Sequence, residues 1–335
     1  GVLREKIVRN LKVAESIFND SIEQSLLIIE ESLLIAIENN FREEEGLVYV
    51  SLGGFNQQLE NFELAISNYI KAETIFKELE NEGKLLVLYA KIGECENESH
   101  NYKRAISYYT KATYLAQKQK FVKEQVMYSI TLGNLYLKMA KYDKAESKFK
   151  WALEYAKINF YTVYEVKALM GCGELYSLQK KYSIAKEYFL EAQRIAEEIN
   201  SSELINSSYE ALTELYKRQD SLTKVLDVQI AAHAYNSSIG LSDKILSNST
   251  ELATSFTQTN QTSQAIEVLK DNSYLLNNNG ALSERKLEYL YVLKEVYSSQ
   301  GNISKLNETK KEYDSILSIA LTDEKNRENL TLKKK

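Results

Sequence analysis

The sequence predicts an all-α protein, a right-handed superhelical solenoid of about seven to eight antiparallel helix pairs. Three observations support this fold class. The 335 residues include no proline and only 12 glycines, so long helices can run without interruption. Small residues recur at a fixed spacing, which is typical of a repeated helical unit. Hydrophobic residues (44%) are mixed with charged ones (27%), as amphipathic helices require.

Small side chains define the repeat, because they fall into columns 40 residues apart. Each column glycine is followed by an alanine, then an aromatic residue, then a second alanine. The glycines are Gly53, Gly93, Gly133 and Gly173; the first alanines are Ala65, Ala105, Ala145 and Ala185; the aromatics are Tyr69, Tyr109, Phe149 and Phe189; the second alanines are Ala72, Ala112, Ala152 and Ala192. Helices approach closely only where side chains are small, so each unit is predicted to be helix, turn, helix, turn, with the aromatic filling the remaining gap.

Residues that tolerate left-handed backbone recur near the ends of the units. They are predicted to end helices and are Asn40, Asn81 with Gly83, Asn159, Asn200, Gly240 and Gly280.

The pattern weakens on both sides of the four clear repeats, which span about 41–200. Upstream, Val13, Ser25 and Ser32 occupy small-residue columns and Ile29 the aromatic one. Downstream, Thr213, Tyr216 and Ala232 form a fifth repeat; Ala253, Phe256 and Ala265 a sixth; and Tyr297, Leu306 and Tyr313 a last one, slipped by one residue. We therefore expect a repeat domain over 1–321 and, over 322–335, a polar tail or the start of a removed linker.

This spacing resembles that of the tetratricopeptide-repeat (TPR) family, which also places a tyrosine three residues after the glycine, as Tyr136 and Tyr176 do here. The usual unit has about 34 residues and often a proline, so this longer, proline-free unit departs from the common form. The length resembles the sensor regions of Bacteroidetes TPR histidine kinases and regulators. The segments that carry this resemblance are Asp20-Ser21, IFKEL at 75–79 and the closing run EYDSILSIALTDEKNR.

Catalytic and metal-site signals are weak in the sequence. His100 and His233 are the only histidines, and they fall in different repeats, His100 in a turn and His233 on an apolar helix. Cys95 and Cys172 lack metal-ligand spacing and are expected to be small buried packing residues. No phosphate-loop, dinucleotide, zincin or nucleophile-elbow motif occurs, so we expect no enzyme, no cofactor and no metal site.

The charge pattern also argues against nucleic acid. The net charge is −5, and the lysines are dispersed among glutamates instead of forming a basic stripe. The most apolar stretch, Leu26 to Ile37, is too short for a membrane span.

The family resemblance implies that the first helix of each repeat lines a concave groove. The polar residues expected to bind a peptide or partner there are Gln58, Glu94, Glu98, Asn134, Lys138, Glu174, Glu214 and Arg218. One glutamate or asparagine per repeat can address an extended peptide through its amides or basic side chains. Alternatively, these glutamates only keep an exposed face soluble.

The sequence therefore favours a non-catalytic binding module, the sensor or interaction domain of a bacterial signalling regulator. Two alternatives stay open: a cytoplasmic peptide-pheromone receptor of the Firmicutes type, and an assembly scaffold. The expected partner is a peptide or protein segment, with a homodimer among the expected assemblies. An extracytoplasmic location is slightly favoured by the kinase resemblance, and Gly1 suggests a trimmed start.

Overall fold

The structure of the protein, a computed structural model, describes residues 1–277 and 282–332. It is all α-helical over these residues, without a β-strand, and the helices follow one another as antiparallel pairs. The α-helices are α1 Val2–Ile17, α2 Ile22–Glu38, α3 Arg42–Gln58, α4 Phe62–Glu78, α5 Glu82–Glu98, α6 Tyr102–Lys118, α7 Val122–Lys138, α8 Tyr142–Ile158, α9 Thr162–Leu178, α10 Tyr182–Glu198, α11 Ser202–Arg218, α12 Leu222–Ile239, α13 Ser242–Gln258, α14 Thr262–Asn272, α15 Leu282–Gln300 and α16 Ile303–Leu332. A short 3₁₀ segment, Ser273–Asn277, follows α14.

The turns repeat more strictly than the sequence indicates. The residue with left-handed backbone recurs every 20 positions, at Asn40, Glu60, Glu80, His100, Lys120, Ala140, Phe160, Lys180, Asn200, Asp220, Gly240 and Asn260. The next amide donates to a carbonyl five residues earlier, as from Phe41 to Ala36 at 2.8 Å, which is the Schellman geometry of a helix end. These bonds close the end of each preceding helix and fix the turn, so most side chains are tolerated there.

Three of the predicted turn residues are wrong: Asn81 and Asn159 by one position, and Gly83 because it lies in the first turn of α5. Asn81 has φ −84° and caps the start of α5, where its side chain accepts a hydrogen bond from the Lys84 amide, and the left-handed residue is Glu80. Asn159 has φ −100°, and Phe160 is left-handed instead. Asn40, Asn200 and Gly240 are confirmed, and Gly280 lies outside the described residues.

Glycine and aromatic columns meet in the core. The fully buried ring of Phe149 lies where a Cβ at Gly133 would be, with its Cε1 atom 2.5 Å from that position. Gly93 and Tyr109 show the same arrangement at 2.8 Å, and Gly53 is likewise covered by the ring of Tyr69. The glycine therefore makes room for the aromatic ring that follows it in its own repeat.

The chain folds into two compact units, Gly1–Ile195 and Ala196–Lys335. In the first unit, each odd-numbered helix from α1 to α7 packs against the even-numbered helix that follows it. Both predicted packing cysteines are confirmed as buried thiols there, Cys95 with no exposed surface and Cys172 with 1%. Burial raises the pKa of each thiol to about 12.

The first helix departs from the column pattern. The 40-residue spacing places Val13 in the glycine column, but its side chain is 42% exposed, whereas Ala14 is fully buried. The cause is the turn that follows, since the Ser21 amide bonds to the Ile17 carbonyl without a left-handed residue at Asp20. The connection between α1 and α2 therefore differs from the later ones, and the buried small residue of α1 lies one position after the glycine column. Ser21 caps the start of α2, because its side chain accepts a hydrogen bond from the Gln24 amide.

In the second unit, consecutive helices from α11 to α16 contact one another. The predicted one-residue slip is present, because the left-handed residue after α15 is Gly301, at φ +73°. α16 continues through most of the predicted polar tail, and residues 333–335 lie outside the described part of the chain.

Candidate functional site

Within each unit, odd-numbered helices, which open each repeat, contact one another side by side. α7 contacts α9, α1 contacts α3 and α13 contacts α15. Side chains also connect these helices directly, as in the bond from Gln57 of α3 to Glu94 of α5. This layer therefore presents polar side chains from successive repeats on one continuous surface within each unit.

A cleft of about 560 Å³ opens in this layer in the first unit, between α5, α7 and α9. Its volume lies in the range of pockets that bind small ligands or a few peptide residues. It is lined by Asn97, Thr131, Asn134, Leu135, Leu137, Lys138, Glu174 and Leu178. The lining thus combines amide, carboxylate and ammonium groups with leucine side chains.

Glu94 lies on α5 beside the cleft, and a chain of two hydrogen bonds orients its carboxylate. The hydroxyl of Tyr69 donates to Gln57 Oε1 at 2.9 Å, and Gln57 Nε2 donates to Glu94 Oε2, also at 2.9 Å. Burial raises the pKa of Tyr69, and the negative charge of Glu94 raises it further. The carboxylate is therefore oriented by a residue of the preceding repeat while its own side chain stays exposed.

Lys138 closes one side of the cleft. Its ammonium donates to Asn97 Oδ1 at 2.9 Å and lies 5.2 Å from the centre of the Tyr102 ring. Asn97 in turn donates to Glu98 Oε1 at 3.1 Å. The bond to Asn97 holds the lysine beside α5, and its position over the Tyr102 ring at the start of α6 stabilises the positive charge.

The structure brings together only part of the predicted site. Asn134, Lys138 and Glu174 line the cleft, and Glu94 and Glu98 are exposed on the neighbouring helix α5. Gln58 is exposed at the last residue of α3, whereas its neighbour Gln57 makes the bond to Glu94.

The other two predicted residues belong to the second unit. Glu214 and Arg218 form an ion pair one helical turn apart, with Glu214 Oε1 3.4 Å from Arg218 Nε.

Sequence reasoning missed the apolar part of the cleft. Leu137 is half-buried and Leu178 is 37% exposed, so both present aliphatic surface to a ligand. Thr131 was missed as well, one turn before Leu135. The signal was the repeat itself, because Leu178 holds in its repeat the position that Lys138 holds in the preceding one.

The groups in the cleft are suited to binding. Amides donate and accept hydrogen bonds, carboxylates accept them, and leucines take up apolar surface. Among the described residues no group of three or more His, Cys, Asp and Glu side chains could hold a metal ion. His100 is exposed in the turn before α6, and His233 is half-buried on α12 in the second unit. Over the same described residues, no helix has the length and apolar character needed to cross a membrane.

Several solved structures share the fold at low sequence identity. A STAND signal-transduction ATPase from Pyrococcus horikoshii, which has a tetratricopeptide repeat sensor, aligns with a TM-score of 0.62 and 17% identity over 92% of this chain and 44% of that one. Aspartyl phosphate phosphatase F from Bacillus subtilis aligns at 0.60 and 15% identity over 92% and 83%. A Rap protein complexed with Competence and Sporulation Factor aligns at 0.52 and 16% identity over 93% and 99%. At these identities the likeness shows the fold alone.

Sequence comparison with protein families identifies the chain. The model for tetratricopeptide repeat protein 21, fourth ARM domain, matches residues 88–272, which is more than half of the chain. A second model, tetratricopeptide repeat, matches residues 44–118. No curated protein sequence matches. Together with the 40-residue columns and the helix pairs, these matches show that the chain belongs to the tetratricopeptide-repeat family.

Proposed function

We propose that this chain is a non-catalytic module that binds a peptide or a protein segment in the cleft between α5, α7 and α9. The observation that carries the proposal is the composition of that cleft, which combines leucine side chains with amide and carboxylate side chains from successive repeats. Such a surface recognises an extended chain, because its groups recur with the helix spacing and can meet successive residues of a ligand.

The charges favour a ligand with basic or amide groups. Glu94, Glu98 and Glu174 supply three carboxylates on or beside the cleft, and Lys138 supplies one ammonium, already bonded to Asn97. Asn134 adds an exposed amide that can donate to and accept from a peptide backbone. Leu137 and Leu178 would contact an apolar side chain of the same ligand.

A sensor or interaction role in a bacterial signalling regulator is the finer form of this proposal. The fold shared with the tetratricopeptide repeat sensor of a STAND ATPase supports it. The fold shared with a Rap protein complexed with Competence and Sporulation Factor favours the alternative of a cytoplasmic peptide receptor. An assembly scaffold would use the same layer to hold a larger partner.

The test is a peptide-array screen that compares the wild type with a triple variant, Glu94→Ala, Asn134→Ala and Glu174→Ala. We expect the wild type to retain basic and amide-rich sequences over their acidic counterparts, and the triple variant to lose them. For a single change, loss of a charge-assisted hydrogen bond costs about 1.5–3 kcal/mol, so Glu174→Ala should weaken a ligand by roughly ten- to a hundredfold. Added salt should weaken it as well.

A matched control replaces surface residues of the even-numbered helices, with Glu63→Ala, Asn68→Ala and Glu154→Ala. It removes the same side-chain types and the same charge from the opposite layer, so it should bind like the wild type. Circular dichroism confirms that both triple variants remain folded. If the cleft variant keeps every partner that the wild type binds, the cleft is not the binding site.

A further inference from the structure

The fifth repeat breaks the glycine and aromatic pairing that the four clear repeats maintain. The column that holds Tyr69, Tyr109, Phe149 and Phe189 continues as Gln229, and the glycine column continues as Thr213. Both residues are buried, Thr213 with 7% and Gln229 with 4% of its surface exposed. A polar side chain thus replaces the ring that fills the gap between helices in the earlier repeats.

This replacement leaves a small polar cavity of about 30 Å³ inside the second unit. Thr213 and Gln229 line it together with Asn206 of α11, and the carboxylates of Glu210 and Glu251 line it too. A cavity of this size holds one or two groups as large as a water molecule. It is too small for a planar guanidinium or a quaternary ammonium.

The buried side-chain oxygen of Gln229 lacks a hydrogen-bond donor in this cavity. Gln229 Oε1 has no hydrogen-bond partner among the residues that the structure describes. Asn206 and Asn236 exchange two amide hydrogen bonds, at 2.9 and 2.7 Å, so their side-chain oxygens already have donors. A buried acceptor without a donor destabilises the fold, and a ligand that supplies a donor removes that penalty.

The charges around the cavity favour a positively charged donor. Glu210 and Glu251 contribute two carboxylates, and Lys244 contributes one ammonium that is already bound to Glu210 at 2.8 Å. Desolvation by the surrounding protein raises the pKa of Glu251, although its side chain presents surface to solvent. Lys217 and Lys244 oppose this shift, whereas the carboxylates of Glu210 and Glu288 add to it. Adding a cation relieves repulsion between these carboxylates.

We propose that the cavity beside Gln229 and Thr213 is a binding site for a primary ammonium group. An ammonium has the size of a water molecule, carries three donors and bears the charge that the carboxylates attract. The source is a lysine side chain or the free amino terminus of a bound chain. The site lies within the second unit and does not depend on the cleft of the first.

The experiment uses methylammonium chloride as the probe and follows the backbone amide resonances of Thr213 and Ala232 in the full-length protein. We expect both resonances to move and to saturate with methylammonium. Tetramethylammonium, which has no N–H donor, and guanidinium, which is too large, should cause no saturable change. Absence of saturation with methylammonium, or an equal response to tetramethylammonium, overturns the proposal.

Two variants and one control locate the response. Gln229→Met keeps the shape of the side chain but removes the acceptor, and the double variant Thr213→Gly with Gln229→Phe restores the glycine and aromatic pair and fills the cavity. Both should lose the saturable shift, measured at Ala232, whereas Gln258→Met, at the exposed end of α13, should keep it. A shift that persists in the filled double variant places the amine elsewhere and overturns the assignment.

Two further probes distinguish the sources of the ammonium. N-acetyl-lysine methylamide carries only the side-chain amine, and alanine amide carries only the α-amine. A saturable shift with either one supports the site and identifies the source, and a response to neither overturns the proposal for peptide ligands.

Discussion

The adjacent glycines of α3, Gly53 and Gly54, offer a matched pair of substitutions that tests the packing of the repeat. A methyl group at Gly53 would overlap the ring of Tyr69, whose Cζ atom lies 2.9 Å from that position and whose Cε1 lies closer still. A methyl group at Gly54 would have only the Tyr69 hydroxyl oxygen nearby, at 3.8 Å. The two alanine variants therefore share a helix and a chemical change but differ in the space available.

The expected magnitudes follow from this geometry. Either alanine gains about 1 kcal/mol of helix propensity over glycine. At Gly53 the ring of Tyr69 cannot withdraw easily, because it is fully buried and its hydroxyl is bonded to Gln57 at 2.9 Å. Overpacking costs about 1–3 kcal/mol, and a strained hydrogen bond about 1 kcal/mol more. We expect Gly54→Ala to be about 1–4 kcal/mol more stable than Gly53→Ala.

Thermal unfolding followed by circular dichroism measures this difference. For a unit of this size each kcal/mol shifts Tm by about 2–4 °C, so Gly54→Ala should melt above the wild type and several degrees above Gly53→Ala. Adding Tyr69→Leu to Gly53→Ala should recover part of the overpacking cost. If Gly53→Ala melts as high as Gly54→Ala, the ring of Tyr69 is not what requires glycine in this column.

Three more outcomes are expected. Burial lowers the pKa of His233, so the unfolded chain binds a proton more readily than the folded one. The free energy of unfolding should therefore fall as pH drops through about 6.5. In urea melts at different pH values, His233→Gln should reduce this loss, and the exposed-site control His100→Gln should not. Burial raises the pKa of the Cys95 and Cys172 thiols to about 12. Both should therefore react slowly with a thiol reagent at pH 8 in the folded protein and rapidly in denaturant. Fast labelling of the folded protein would contradict their burial. The repeats after Thr213 should exchange amide hydrogens faster than the block Gly93–Ala192, and slower exchange there would refute the idea that irregular columns loosen the fold.

The fold could be predicted from the sequence because its determinants are local and repeated. Glycine, alanine and aromatic positions such as Gly133, Ala145 and Phe149 are dictated by helix spacing, and each recurs four times, so the period is visible without a structure. The turns could be predicted less well. Glu80 and Phe160 adopt left-handed backbone despite their side chains, since hydrogen bonds from both flanking helices fix the turn and outweigh a local preference of about 1 kcal/mol.

The candidate site could be predicted only in part, for a different reason. A column of residues tells which helix face a side chain occupies, and this was enough to find Asn134, Lys138 and Glu174. It does not tell which neighbours meet across helices, so the link from Gln57 to Glu94 and the exposure of Leu178 required coordinates. The polar substitution at Gln229 was visible in the aromatic column, but its unpaired oxygen was not.

The 20-residue spacing of the turns determines how such a chain can change length during evolution. Duplication or deletion of one 40-residue segment, such as 121–160, leaves every later residue facing the same way, because whole helices and turns are added or removed together. A change of a single residue inside a helix would instead rotate everything beyond it by about 100° and turn glycines away from their aromatic partners. Gene segments of this protein can therefore be gained or lost in whole repeats, and each gain lengthens the layer of first helices by another row of side chains.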